Sequence, residues 1–191
     1  VHNNALPDIA VHDPDQFEWF LNDILNQRQA KVAYGGYLEE RNLYAGFEHF
    51  TRAVDRSVHL GIDFWSPAGT SVHAPITGKV HSFKNNSARG DYGATLILAH
   101  EFAAGRIYTL YGHLSMASLA DYEVDQVFFK GDRLGQLGHS EENGGYAPHL
   151  HFQVIADLQG AVGDYPGVCS GNDLGFYAKN CPNPLLLLGF T

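Results

Sequence analysis

Apolar positions change their period along this chain. Phe17, Phe20, Leu21, Ile24 and Leu25 recur at the spacing of one helical face. Asp13-Pro14 precedes them as an N-cap followed by proline at the first helical position. The spacing predicts an amphipathic helix over residues 14–30, with its stripe used for packing. Gly35-Gly36 ends that pattern, and residues 37–57 carry no clear period. From Val58 the texture turns to short apolar runs separated by turns: residues 70–73, 78–83, 95–99, 107–111 and 150–155 are predicted strands, and 127–138 a turn followed by a short strand. The polar, glycine-containing stretch 85–93 is predicted as a hairpin loop. Residues 1–12 are expected to be an arm, and the Gly-, Pro- and Asn-rich residues from about 157 a loop-rich tail.

Composition agrees with one folded, β-leaning domain: hydrophobic residues make up 45% and charged residues 17% of 191. Formal charge is −9 and no basic cluster occurs, which removes the electrostatic basis for nucleic-acid binding. The longest apolar run, Leu185 to Leu188, is far too short to span a membrane. Cys169 and Cys181 allow either a disulfide or two ordinary thiols.

The chemistry lies in the histidines. His59-Leu60-Gly61-Ile62-Asp63 puts an imidazole and a carboxylate four residues apart, on one face if the segment is a straight strand, with Leu60 and Ile62 facing the core. His149-Leu150-His151 puts two imidazoles together, with Leu150 and Phe152 facing away. Two such strands can bring two His and one carboxylate to one ion. That set leaves a fourth position open, the pattern of catalytic zinc rather than structural zinc. A small, thiolate-free N/O set favours zinc over copper or iron. With 11 histidines in the chain, either motif alone could arise without meaning; Tyr111-Gly112-His113-Leu114-Ser115 between them makes a constellation.

These residues resemble the lysostaphin-type, LytM-like zinc metalloendopeptidases that cut peptide cross-links of bacterial peptidoglycan. The H-x-G-x-D motif stands at residues 59–63, followed by PAGTSVHAPITGKV at 67–80. Asp91-Tyr92-Gly93 begins a strand ending in His100, then come the Y-x-H-L-S strand at 111–115, a K-G-D-x-L-G turn at 130–135 and P-H-L-H-F-x-V within 145–154. The resemblance covers about half of the chain. It implies a mainly β fold, an antiparallel β-sheet or sandwich of the duplicated hybrid motif, here with an N-terminal α-helix. It divides the chain into an arm and packing helix (1–57) and a zinc peptidase domain (58–191).

The resemblance also implies roles. His59, Asp63 and His151 match the ligands of one Zn2+ per chain. His113 and His149 match the two non-ligand histidines, one taking a proton from water and the other serving the oxyanion or the leaving amine. Tyr92, His139 and Tyr146 are candidates for the wall of a substrate groove. His100 is expected to be a surface or hairpin residue, and His73 and His81 packing or exposed residues of a strand.

The expected substrate is a peptide, in peptidoglycan or containing glycine. The alternatives are an intracellular zinc hydrolase of a small amide and a binding module without turnover. Residues 163–188 and 36–41 resemble a subgroup of this peptidase-like domain joined to pyridoxal-phosphate aminotransferases. That subgroup implies a cytoplasmic location and free thiols; a periplasmic or extracellular one follows if an export signal was removed. Asn42, Glu48 and His49 could reach the metal as part of a lid. The favoured expectation is that the helix packs on the back of the sheet and the cleft stays open.

Overall fold

The structure, a computed structural model, describes residues 13–41 and 56–189. The arm and the candidate lid residues Asn42, Glu48 and His49 lie outside them. Helix α1 spans Pro14–Gln27, and Asp13 caps it by accepting from the backbone N–H groups of Asp15 and Gln16. The strands are β1 (Ala33–Gly35), β2 (Arg56–His59), β3 (Ile62–Trp65), β4 (Ser71–His73), β5 (Gly78–Asn86), β6 (Gly93–Phe102), β7 (Gly105–Leu114), β8 (Val127–Phe128), β9 (Arg133–Gln136), β10 (His149–Ile155) and β11 (Val168–Ser170). Seven of them form one antiparallel sheet in the order β1-β3-β10-β7-β6-β5-β8. The pairs β2–β11 and β4–β9 form two small sheets.

The large sheet is covered on both faces, which explains why its inner strand β6 is buried continuously over Gly93 to Leu98 rather than alternating. Leu96 and Leu98 enter one core with Val80, Tyr111, Phe152, Val72 and Leu134. Ile97, between them, enters a second core with Leu110, Ile155, Val58, Leu60 and Cys181. Each such side chain, fully withdrawn from water, contributes about 1.5–3 kcal/mol. The mainly β, antiparallel architecture with an N-terminal helix is as expected.

Three expectations are corrected. The tail is not mainly loop: it supplies β11, helix α2 (Leu174–Asn180) and helix α3 (Pro184–Leu188), the last capped by Asn183. Its helices are short and take their stability from the cores, where Leu174, Tyr177 and Leu185 pack. Within residues 37–57, residues 38–41 are not irregular, since they bond to β2. Glu18, Leu21, Asn22 and Leu25 of α1 line one small pocket together with Trp65, Ser66 and Pro148. His100 is not a surface residue but is buried at the end of β6, between the Thr77 carbonyl and the Thr109 hydroxyl.

Candidate metal centre

His59 and Asp63 do not share a straight strand. β2 ends at His59 and β3 begins at Ile62, so the chain leaves the small sheet and enters the large one across Leu60-Gly61. Leu60 and Ile62 accordingly fill different cores. The bend still turns both side chains inward, and β10 brings the third residue: Asp63 lies directly opposite His151 in the β3–β10 register. His149 and His151 share a face of β10, while Phe152 packs into the opposite core.

The three candidate ligands present one atom each. His59 Nε2 is 2.9 Å from His151 Nδ1 and 3.4 Å from Asp63 Oδ1, and His151 Nδ1 is 3.2 Å from the same oxygen. Outer contacts fix the tautomers. His59 Nδ1–H donates to the Gly36 carbonyl at 2.7 Å, and His151 Nε2–H donates to Gln153 Oε1 at 2.9 Å. The two nitrogens that face each other are therefore lone pairs, and the third member is a carboxylate oxygen with no hydrogen-bond donor. Three buried acceptors facing one point repel one another unless a cation lies between them. Their separations are near the roughly 3.3 Å edge of a tetrahedron built on zinc bonds of about 2.0–2.1 Å. The residues fit a metal ion on the donor chemistry of this chain alone.

Charge agrees. Burial works to raise the pKa of Asp63, yet the imidazoles of His59, His149 and His151 around it hold it well below the usual carboxylate range. Its other oxygen, Oδ2, accepts from Arg41 Nη1 at 2.6 Å. His59 is pushed down by burial, against the pull of Asp63, and so stays neutral and able to ligate.

His113 and His149 stand beside this group with ring centroids 4.1 Å apart. Each is anchored through Nδ1–H, His113 to the Asn143 carbonyl at 2.7 Å and His149 to the Ala147 carbonyl at 2.8 Å. Each thus keeps an unprotonated Nε2, and that of His149 is 4.0 Å from Asp63 Oδ1. Burial lowers the pKa of both, His113 well below its ordinary value. His113 adopts φ 62°, in the left-handed region. Strict alternation after Gly112, which lies opposite His151, would send His113 to the far face. The left-handed backbone turns it back toward His149, a local strain of the kind held at functional sites.

Tyr92 and Tyr146 flank the histidines. Tyr92 packs on His113 and His151, with Oη 3.5 Å from His151 Nε2. Tyr146 meets His113 and His149 edge-on and donates to the Gly90 carbonyl at 2.8 Å. His139 is not brought to the cluster; its side chain is exposed and its contacts to Glu142 and Asn143 run through its own backbone. A groove of about 360 Å³ between Asn85, Ser87 and Arg89 on one side and Ser140 to Glu142 on the other is lined by none of these histidines.

Several contributors were invisible as motifs. Arg41, the Gly36 carbonyl and Gln153 hold the candidate ligands, and Trp65 stacks on His149 with centroids 6.0 Å apart. A buried Asp demands a cation, which is a signal for Arg41, although it does not say which arginine.

The family model described as Peptidase family M23 matches residues 57–162. The DD-carboxypeptidase/endopeptidase Mpg of Neisseria meningitidis is 35% identical over 97 residues, 51% of this chain and 20% of that protein. The chain thus aligns with about a fifth of the length of that curated relative. Among solved structures, the antimicrobial peptidase lysostaphin from Staphylococcus simulans is similar with a TM-score of 0.50 and 23% identity, covering 83% of this chain and 50% of that one. The lysostaphin catalytic domain gives 0.46 and 24%, covering 81% and 96%. The first of these is a likeness of fold.

Proposed function

Because this chain belongs to peptidase family M23, we propose that it is a zinc-dependent peptidase with His59, Asp63 and His151 as the ligands of one Zn2+ and His113 and His149 as its proton-handling residues. The observation that carries this reading is the convergence of two imidazole lone pairs and an unsatisfied carboxylate oxygen on one buried point. When bound, such an ion supplies Lewis acidity toward a scissile carbonyl and acidifies water to a pKa of about 7.

The chain's own groups supply the rest. His113 and His149 each offer an unprotonated Nε2 at neutral pH. One can accept a proton from the attacking water, and the protonated imidazole can then return it to the leaving amine. Anchoring through Nδ1–H keeps both rings aimed while the proton moves. Intact ligands and intact neighbouring histidines favour an enzyme over a binding module.

The substrate class we propose is a peptide of the peptidoglycan type or one containing glycine, favoured by the DD-carboxypeptidase/endopeptidase relative. Purified protein should carry one zinc per chain, lose it in His59→Ala, Asp63→Ala and His151→Ala, and hydrolyse peptidoglycan or Gly-containing peptides. Full zinc content in His151→Ala would sink the ligand assignment. A zinc-loaded protein inert on every peptide, but active on a small non-peptide amide, would sink the substrate.

A further inference from the structure

We propose that residues 36–41, upstream of the family match, are a working part of the metal centre, with Arg41 as the positioning residue that dictates which oxygen of Asp63 faces the ion. The proposal rests on His59, Asp63 and His151 being metal ligands.

The segment is laid against β2 by backbone bonds. Leu38 N–H donates to the His59 carbonyl at 2.8 Å, His59 N–H to the Glu39 carbonyl at 3.0 Å and Arg41 N–H to the Ser57 carbonyl at 2.7 Å. Tyr37 Oη donates to the Cys181 carbonyl at 2.9 Å and ties it to the tail. From this ladder two groups reach inward. The Gly36 carbonyl orients His59, and the Arg41 guanidinium grips Asp63 Oδ2. One short stretch therefore aims two of the three ligands.

The two oxygens of Asp63 are thereby divided. Oδ2 is taken by Arg41, while Oδ1, with no donor, is the atom at 3.2 and 3.4 Å from the histidine nitrogens. A carboxylate without that clamp could rotate and offer both oxygens to the ion. Arg41 is itself held, donating from Nε to Glu39 Oε2 at 2.9 Å, and its side chain is only 13% exposed. Gly36 makes the fit possible: it adopts φ +103°, and a Cβ there would collide with the Arg41 guanidinium and approach His59 Nδ1 to 3.0 Å.

The test measures zinc affinity by chelator competition, the visible spectrum of the cobalt(II)-substituted protein, and the melting temperature of the zinc-free protein, for wild type, Arg41→Ala and Arg41→Lys. Loss of an outer partner of a ligand is expected to weaken zinc binding by about 10- to 100-fold in Arg41→Ala. Its cobalt spectrum should lose intensity as the freed carboxylate raises the coordination number. Arg41→Lys should recover part of the affinity, because an ammonium restores the charge without the planar fork. A lower melting temperature with unchanged zinc affinity and cobalt spectrum would make Arg41 merely structural and overturn the proposal. If Arg41→Ala does not fold, the lysine variant decides: affinity equal to wild type with an unchanged spectrum also overturns it. A wild-type protein that binds no zinc instead removes the metal reading itself.

Discussion

Gly61 lies beneath the imidazole of His151, so close that a Cβ added there would come within 2.6 Å of Cε1 and 2.7 Å of Nε2. The glycine between His59 and Asp63 is therefore a space requirement of the third candidate ligand, His151. On the other side the same atom would meet the Phe152 carbonyl at 2.8 Å, so the backbone cannot move away.

Gly61→Ala should lower the stability of the zinc-free protein by about 1–3 kcal/mol, as overpacking does, and displace His151. Urea melts and chelator competition measure the two effects. Unchanged stability together with unchanged zinc affinity would show that the ring is not confined as described.

His113→Ala and His149→Ala should each keep the zinc and the fold while losing about 100- to 10,000-fold in turnover. Metal content and kcat on a peptide substrate report this. A variant that lost zinc and kept activity would have to exchange roles with a ligand.

The buried thiols should be slow. Cys169 and Cys181 are unpaired with each other, and burial pushes Cys181 up to about 11 despite the hydrogen bond from Gln153. Little thiolate exists at neutral pH, so modification by an alkylating reagent should be far slower in native than in denatured protein. Two thiols should titrate in denatured, unreduced protein; none would mean a disulfide.

His100 should make stability fall with pH. Burial lowers its folded-state pKa, against the hydrogen bond to the Thr77 carbonyl, whereas the unfolded chain takes up a proton near the ordinary value of about 6.5. Below that value the unfolded state binds more protons, so unfolding becomes easier as pH drops, and above it this contribution is flat. In zinc-free protein, His100→Gln should flatten the slope of stability between about pH 7 and 5. An equal slope in both proteins would assign the effect to other histidines.

What was legible in advance was local. The cap at Asp13, the strand texture after Val58 and the pairing of His149 with His151 on one face depend on neighbours in sequence, and the structure has them. What was not legible depends on distant partners. Nothing near Leu60 and Gly61 announces that β2 and β3 join different sheets. The left-handed turn at His113 carries no glycine to mark it. Arg41 acquires meaning only once Asp63 is buried beside it. In the tail, the prolines that suggested loop stand at the start of helices as well, as Pro184 does in α3.

His59 stands on the small sheet with β11, whereas Asp63 and His151 stand on the large one. An ion gripping all three would rivet the two layers together, and its binding energy would be shared with the fold. At a hundredfold excess over its dissociation constant, a ligand specific for the folded state adds about 2.7 kcal/mol. Molecules of this chain starved of metal would open more often and be cut sooner by other proteases. How long each copy survives would then follow the local supply of the ion, so that a shortage removes idle copies along with their activity.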